Sequence, residues 1–458
     1  MLKSKSTYKY LDFVKFSQLY NWSVQYLNDS KIRFTTKYPL VQIKEFLTRN
    51  KTAIEIQDDV YYKRATIKVR NGGIFLRDTV IGNKIGTKNQ FVISKGQFLL
   101  SKIDARNGAF GVVPDVLDGG VITGNFWTFD VDYSKVNPHY LALLTTTNQF
   151  IEFCEQASNG TTNRHYLQEP LFLDIKVPLP SLAEQNKLVE EYTSKINEYN
   201  TLLAHILELD QEFTMELANL LKQNTIVSKS KNNRLGLLHE ARFSELSSWS
   251  VDSLLRSQDS PYATSEYKQV RLQEVADINP RTDMSMIEGN EYVSFIPMED
   301  ISDIYGEWIG EKIIKKEGIK GYTKFQDGDL LWARITPCMQ NGKSAIVKNL
   351  ENNRGCGSTE FHIVRVHANS VIPEYLHILF RQDELLKDAQ RYFTGSAGQQ
   401  RVPASYLSNL AIPVPPISVQ EQIINCYNQF IDNIKTCKDK ANHVMGNAKS
   451  SFETQIFE

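Results

Sequence analysis

The chain contains the same long helical pattern twice. From Ile175 it reads IKVPLPSLAEQNKLVEEYTSKINEYNTLLAHILELDQEFTMELANLL, and from Ile412 IPVPPISVQEQIINCYNQFIDNIKTCKDKANHVMGNAKSSFETQIFE. A shift of 235 positions puts Pro178 on Pro413, Gln185 on Gln420 and Val189 on Ile424. Proline fixes φ and keeps its predecessor out of the helical region, so the chain approaches each helix in extended form. Ser181 with Glu184, and Ser418 with Glu421, then predict capping boxes. Beyond them Val189, Tyr192, Ile196, Tyr199, Leu203, Ile206, Phe213 and Leu217 follow a heptad rhythm that only Asp210 interrupts. Ile424, Tyr427, Ile431, Ile434 and Met445 repeat it around Lys438. Such a seam predicts a coiled coil. About forty residues at 1.5 Å each make a rod of roughly 60 Å, which cannot bury its stripe alone. Each helix is the partner that the other needs.

The duplication reaches the globular parts, and a chain-long repeat decides architecture. FSQLYNWSVQYL at 16–27 returns as FSELSSWSVDSL at 243–254. YPLVQIKEF from Tyr38 answers YKQVRLQEV from Tyr267, a short strand leading into each domain. GQFLLSKI from Gly96 matches GDLLWARI from Gly328, a turn glycine and a β-type run closing on Lys102 or Arg334. NPHYLALL from Asn137 matches IPEYLHIL from Ile372, where proline opens a helix. Glycine loops ending at Arg164 and Arg401 close each domain before its proline hinge. The expected fold is α+β: two tandem, similar mixed domains at 1–180 and 241–416. Helices at 181–224 and 417–458, with a linker at 225–240, would join and separate them. Connectivity makes the helices antiparallel, with one domain at each end and an approximate two-fold relation.

Composition is that of a globular chain, 41% hydrophobic and 23% charged. MLKSKSTYKY leads into no apolar signal region, and no run reaches membrane-spanning length. The five cysteines form no CxxC pair, which reads as reduced, buried thiols in a cytoplasmic protein. Overall charge is −1, but residues 1–181 carry +7, 182–240 −3, 241–416 −4 and 417–458 −1. An anionic partner suits the first domain, and the second must rely on local focusing.

Catalytic signals are weak. Asn137-Pro138-His139-Tyr140 superficially resembles the tetrapeptide of amino-methyltransferases, but its counterpart Ile372-Pro373-Glu374-Tyr375 lacks the amide. Gly355-Cys356-Gly357-Ser358-Thr359 is too short to cradle phosphate. A nuclease set of Asp115, Asp174 and Lys176 would have to bridge some sixty residues to the hinge. The eight histidines show no ligand spacing, so no metal site is expected. Basic clusters say more. Lys63, Arg64, Lys68, Arg70, Arg77, Lys84 and Lys88 interleave with Tyr61, Tyr62 and a glycine turn. Lys312, Lys315, Lys316, Lys320 and Lys324 crowd around Gly318 and Gly321. Lys/Arg sets of this kind suit phosphate neutralisation, with Arg, Gln and Asn reading base edges. For any one residue a solvated strand face is the simpler reading; the sets, in their repeat context, point to DNA. Lys102, Arg164, Arg334, Lys343, Gln399, Gln400 and Arg401 complete the candidate set.

Two variable domains, each ending in a P-x-P hinge and a Gln-bearing amphipathic helix, resemble the specificity subunit of type I restriction-modification systems. VPLPSLAEQNKLV (177–189) and IPVPPISVQEQII (412–424) carry the resemblance, supported by GQFLLSKIDARNGAFG and GDLLWARITPCMQNGKS. It spans essentially the whole chain. It implies a non-catalytic subunit whose target-recognition domains each read half of a bipartite double-stranded DNA sequence. It also implies two methyltransferase subunits that methylate adenine with S-adenosylmethionine. ATP-dependent restriction subunits, using Mg, would join for cleavage. Cofactors would therefore belong to partners. The loops at 160–164 and 395–401 would be DNA-facing. A self-sufficient modification enzyme and a coiled-coil scaffold are the competing readings. Cofactor binding by the lone chain would favour the first, and failure of the assembled complex to bind DNA the second.

Overall fold

The computed structural model describes residues 36–223 and 260–458, except Asn71, Thr162, Asn163, Glu311, Asn369 and Ala397. For Gln156, residues 159–161, Arg164 and His165 it describes the backbone alone. The repeats at 16–27 and 243–254 and the linker at 225–240 lie outside the described residues. The chain forms two compact units, Met1–Leu202 with Lys440–Glu458, and Leu203–Asp439.

In unit one the hinge is a paired strand. Leu40–Gln42 runs antiparallel to Lys176–Pro178, which fixes the extended prolines on the sheet edge they tolerate. A four-stranded antiparallel sheet follows in the order Leu47–Asn50, Phe126–Val131, Phe98–Ser101, Phe110–Val112. Phe98, Leu99 and Leu100 are all buried, so this run packs on both faces. Gly96 precedes it at φ +79°, a left-handed turn that favours glycine. A mixed five-stranded sheet has the order Ala53–Glu55, Asn89–Ile93, Gly120–Ile122, Tyr61–Lys68, Gly73–Ile81. Phe98, Phe129, Tyr140, Phe150 and Phe172 form the main core, closed by Leu188, Phe452 and Ile456 from the long helices.

Unit two repeats the hinge pair and both sheets, one edge strand short. Gln269–Arg271 pairs with Ala411–Pro413. The antiparallel sheet runs Ala276–Ile278, Phe361–Val366, Leu330–Ala333, Ser344–Ile346. The mixed sheet runs Ile313–Lys315, Tyr292–Ile296, Arg354–Gly357, Thr323–Gln326. In both mixed sheets the single parallel pair sits at the same place, and unit one only adds the edge strand Ala53–Glu55. Gly328 opens the buried strand at φ +86°, matching Gly96.

The long helices are Leu182–Leu220 and Ile417–Phe457. Their pairing is antiparallel within each unit. In unit one Tyr192 meets Phe452 edge-on at 6.4 Å. In unit two Phe213 stacks on Phe430 at 4.8 Å and tilts against Tyr427. Several expectations need correction. The buried apolar positions in the first turns are Leu188 and Ile423, with Val189 and Ile424 half-buried, because these turns face their own domain core before the seam begins. Ile196, Tyr199, Ile206, Ile431 and Met445 are half-buried, whereas Phe213, Leu217, Tyr427 and Ile434 are buried. Leu203 is 39% exposed, so the seam loosens there.

The capping boxes are incomplete. Ser181 Oγ accepts from the Glu184 N–H at 3.3 Å, but Glu184 accepts from the Tyr38 hydroxyl at 2.9 Å. In the last helix the cap moves to Pro416, whose carbonyl accepts from the Gln420 N–H, leaving Ser418 inside the helix. Lys438, the polar seam position, lies over the Tyr305 ring at 5.4 Å alongside Lys435. Desolvation there holds its ammonium below the usual lysine range. All five cysteines are free thiols, but only Cys154 and Cys356 are buried. Burial pushes Cys356 up to about 11.

Candidate nucleic-acid interface

Each proline hinge is held by one glutamine and one tyrosine. Gln185 is fully buried; its Oε1 accepts from the Asn137 N–H at 2.8 Å, and its Nε2 donates to the Lys135 and Pro180 carbonyls. Tyr140 donates its hydroxyl to the Pro178 carbonyl at 2.8 Å. The same latch recurs 235 residues on. Gln420 accepts from the Ile372 N–H at 2.8 Å and donates to the Pro415 carbonyl, while Tyr375 donates to the Pro413 carbonyl. Asn137-Pro138-His139-Tyr140 is thus a helix start: the Asn137 side chain caps the His139 N–H and Pro138 takes the first turn. Asn137, Gln185 and Tyr140 do structural work.

Four of the basic candidates of unit one lie on strands of its mixed sheet. Lys63, Arg64 and Lys68 lie on Tyr61–Lys68, Arg77 on Gly73–Ile81, and Arg70 in the turn between them at φ +57°. Arg64 grips Asp78 across the strands with two hydrogen bonds of 2.7 and 2.6 Å, which hold the Asp78 carboxyl below its ordinary range. Lys63 donates to the Asp118 carbonyl at 3.3 Å, and Lys88 pairs with Asp58. Lys68 lies 4.7 Å over the Phe75 ring, and Lys102 5.6 Å over Tyr166. Lys84 is exposed, with no ion pair among the described residues. Arg164 is placed only by its backbone, opposite Thr161 in a two-stranded hairpin. Gly160, Thr161 and Arg164 are therefore strand residues of a β-ribbon.

In unit two Lys315 and Lys324 lie on strands of the equivalent sheet, and Lys316 in the turn that follows Lys315. Lys312 pairs with Asp300 at 3.2 Å. Lys316 donates to the Ile287 carbonyl, Lys324 to the Tyr322 carbonyl and Lys343 to the Met298 carbonyl. Lys315 and Lys320 are exposed, without ion pairs among the described residues. Arg334 and Arg401 converge on Glu360 at 3.3 and 2.7 Å. The hydrogen bonds from Arg401, and then the charge of both arginines, hold the Glu360 carboxyl below the usual carboxylate range. Gln400 gives its carbonyl to the Thr336 N–H, and Gln399 gives its carbonyl to Arg401. These two glutamines thus hold the loop through their backbones.

Sequence reasoning missed four groups here. Glu360 and Asp78 anchor arginines across 41 and 14 residues, distances at which no local pattern is visible. Phe75 and Leu76 stand exposed beside the cations. An open groove of about 580 Å³ gathers Asn279, Arg281, Thr282 and Ser285 against Lys316 and Lys324. Among the described residues no group of three or more His, Cys, Asp or Glu could hold a metal ion. No described helix is long and apolar enough to cross a membrane.

The pattern of the family described as "Type I restriction modification DNA specificity domain" fits residues 24–209 and 264–444. The chain is 40% identical over 161 residues to the type I restriction enzyme EcoAI specificity subunit of Escherichia coli, across 35% of this chain and 27% of that protein. It is 35% identical over 167 residues to the EcoEI specificity subunit of the same organism, across 36% of this chain and 28% of that protein. The matched stretches thus span under a third of either relative. A solved chain from work on complex assembly and conformational transition of the type I R-M system superposes with a TM-score of 0.54 at 15% identity. That superposition covers 91% of this chain and 96% of the other, a likeness of fold.

Proposed function

The chain belongs to the family of type I restriction modification DNA specificity domains, and on that premise we propose that it is the DNA sequence-recognition subunit of a type I restriction-modification complex. Each unit reads one half of a bipartite double-stranded target. The two long helices set the half-site spacing and dock two methyltransferase subunits, and restriction subunits join for cleavage. The chain is non-catalytic and works in the cytoplasm; S-adenosylmethionine, ATP and Mg are bound by its partners. One observation carries the reading: a single chain builds the same strand order, hinge latch and long helix twice, and the same DNA-specificity pattern fits both copies. Two similar readers on one chain suit a target written in two parts. The exposed cations on both mixed sheets supply phosphate contacts, whose signature is salt dependence.

The test is sequencing of adenine methylation in the host with and without this gene. A bipartite methylated motif that disappears with the gene is expected. A motif that persists in its absence, or methyl transfer by the purified chain alone, would overturn the reading.

A further inference from the structure

We propose that the edge hairpin 61–81 is the base-reading ribbon of unit one, with Arg77 reading a base edge in the DNA major groove and Phe75 and Leu76 packed beside it. The proposal rests on the DNA-reading function above and assigns that function to particular atoms. Gly73–Ile81 is the outer strand of the mixed sheet. Its register slips once: Arg64 faces Asp78 while Ala65 faces Leu76, so Arg77 is the extra residue of a β-bulge. Bulges re-aim a side chain out of the regular alternation. Arg77 leaves the sheet with its side chain 63% exposed.

The neighbouring surface calls for an occupant. Phe75 and Leu76 are 44% and 37% exposed, and Val69 at the tip is 45% exposed. Adjacent strand residues point to opposite faces, so both faces of the edge are open here. Natural proteins blunt or cover such edges. Charge selects the occupant. Hairpin 61–81 carries Lys63, Arg64, Lys68, Arg70 and Arg77 against Asp78 alone. Arg64 already satisfies that carboxylate with two short hydrogen bonds, and Arg77 Nε stays 3.8 Å from it, too far to bond. Arg77 thus keeps a loose ion pair with Asp78 but makes no hydrogen bond to it, which leaves its fork able to turn to an acceptor pair. A second copy of the chain would bring like charges together at this edge.

DNA meets these requirements. A two-stranded ribbon fits the major groove, arginine pairs bidentately with guanine O6 and N7, and apolar side chains contact the thymine methyl. Lys68 over the Phe75 ring stiffens the apolar part of the ribbon. Unit two supplies an independent parallel. On its corresponding edge pair, Tyr292 and Ile313 are exposed beside Lys312 and Lys315.

The experiment expresses the full chain with its methyltransferase partner in a host without other adenine methylation. Methylation is then sequenced for wild type, Arg77→Ala and the double variant Phe75→Ala/Leu76→Ala. Arg77→Ala should keep the motif but relax one guanine-bearing position in one half-site by about ten- to a hundredfold, the range expected for a lost bidentate contact. The double variant should lower methylation through the same half-site. Unchanged motifs in both variants would overturn the proposal, as would a uniform loss of rate across all sequences, which marks a phosphate contact. Edge-dependent self-association, seen by sedimentation with the motif intact, would also overturn it. Absence of any bipartite motif with wild type would instead remove the recognition reading on which the proposal stands.

Discussion

At Glu360 one carboxylate holds two arginines, and the pH response of unit two follows from it. Its folded pKa lies below the ordinary carboxylate value, with Arg401 the main cause. The stability it contributes is therefore complete above the unfolded value of about 4.3, and is lost as pH falls through the lower folded value. Glu360→Gln should cost about 1 kcal/mol at pH 7, solvent screening included. That is a Tm loss of about 2–4 °C. The deficit should shrink as pH falls below about 4.3, and a deficit that does not depend on pH would make Glu360 a packing residue only. The hinge glutamines answer to burial instead. Gln185→Leu strands the Asn137 N–H and two carbonyls, and Gln420→Leu strands the Ile372 N–H and one. An orphaned buried group costs about 1–3 kcal/mol. Both variants should lower thermal stability, Gln185→Leu by more. Equal, negligible losses in thermal melts would show that water replaces the latch.

Among the elements, the long helices carry the clearest expectation. Phe213 is buried between Tyr427 and Phe430, so Phe213→Ala should cost about 3–5 kcal/mol in unit two. Leu203→Ala, at an exposed position, should cost well under 1.5 kcal/mol. Denaturant melts of the two variants give the comparison directly. These elements were legible because periodicity survives in sequence: the offset of 235 fixes the hinges and most of the seam, and a slightly shorter offset of 232 relates the strands opened by Gly96 and Gly328. Leu203 deceived the pattern because a heptad position says nothing about how tightly its partner packs. The mixed sheets were illegible as a repeat, although their strand orders match. Their ladders are held by backbone groups, and their outer residues face solvent, so little constrains the side chains to agree. Of the candidate cations, the sequence could not separate Arg64 and Arg401, hydrogen-bonded to carboxylates, from Arg77 and Lys315, which make no carboxylate hydrogen bond among the described residues.

At the scale of the whole molecule, the way each domain is fastened predicts how domains can be exchanged. Replacing 1–176 with the same segment of another family member places a junction inside the strand Lys176–Pro178. The bonds that cross it are largely indifferent to sequence. Leu40–Gln42 meets the hinge strand through backbone pairing. Tyr140 donates to a Pro178 carbonyl, and Gln185 bonds to the Asn137 N–H and the Lys135 carbonyl. A donor domain needs only a tyrosine at the position of Tyr140 and a free backbone N–H at the start of the same helix. Unit two already satisfies both with Tyr375 and Ile372 in different surroundings. The side chains that must fit are few: Leu188, Phe452 and Ile456 reach the core of unit one from the helices. The chimera should therefore fold and assemble, change one half-site of the methylated motif to that of the donor, and leave the other half as it was. Methylation sequencing of the chimera reads both halves at once. If both half-sites change together, the two units do not read independently, and the shared strand order would have to be explained by folding rather than by recognition.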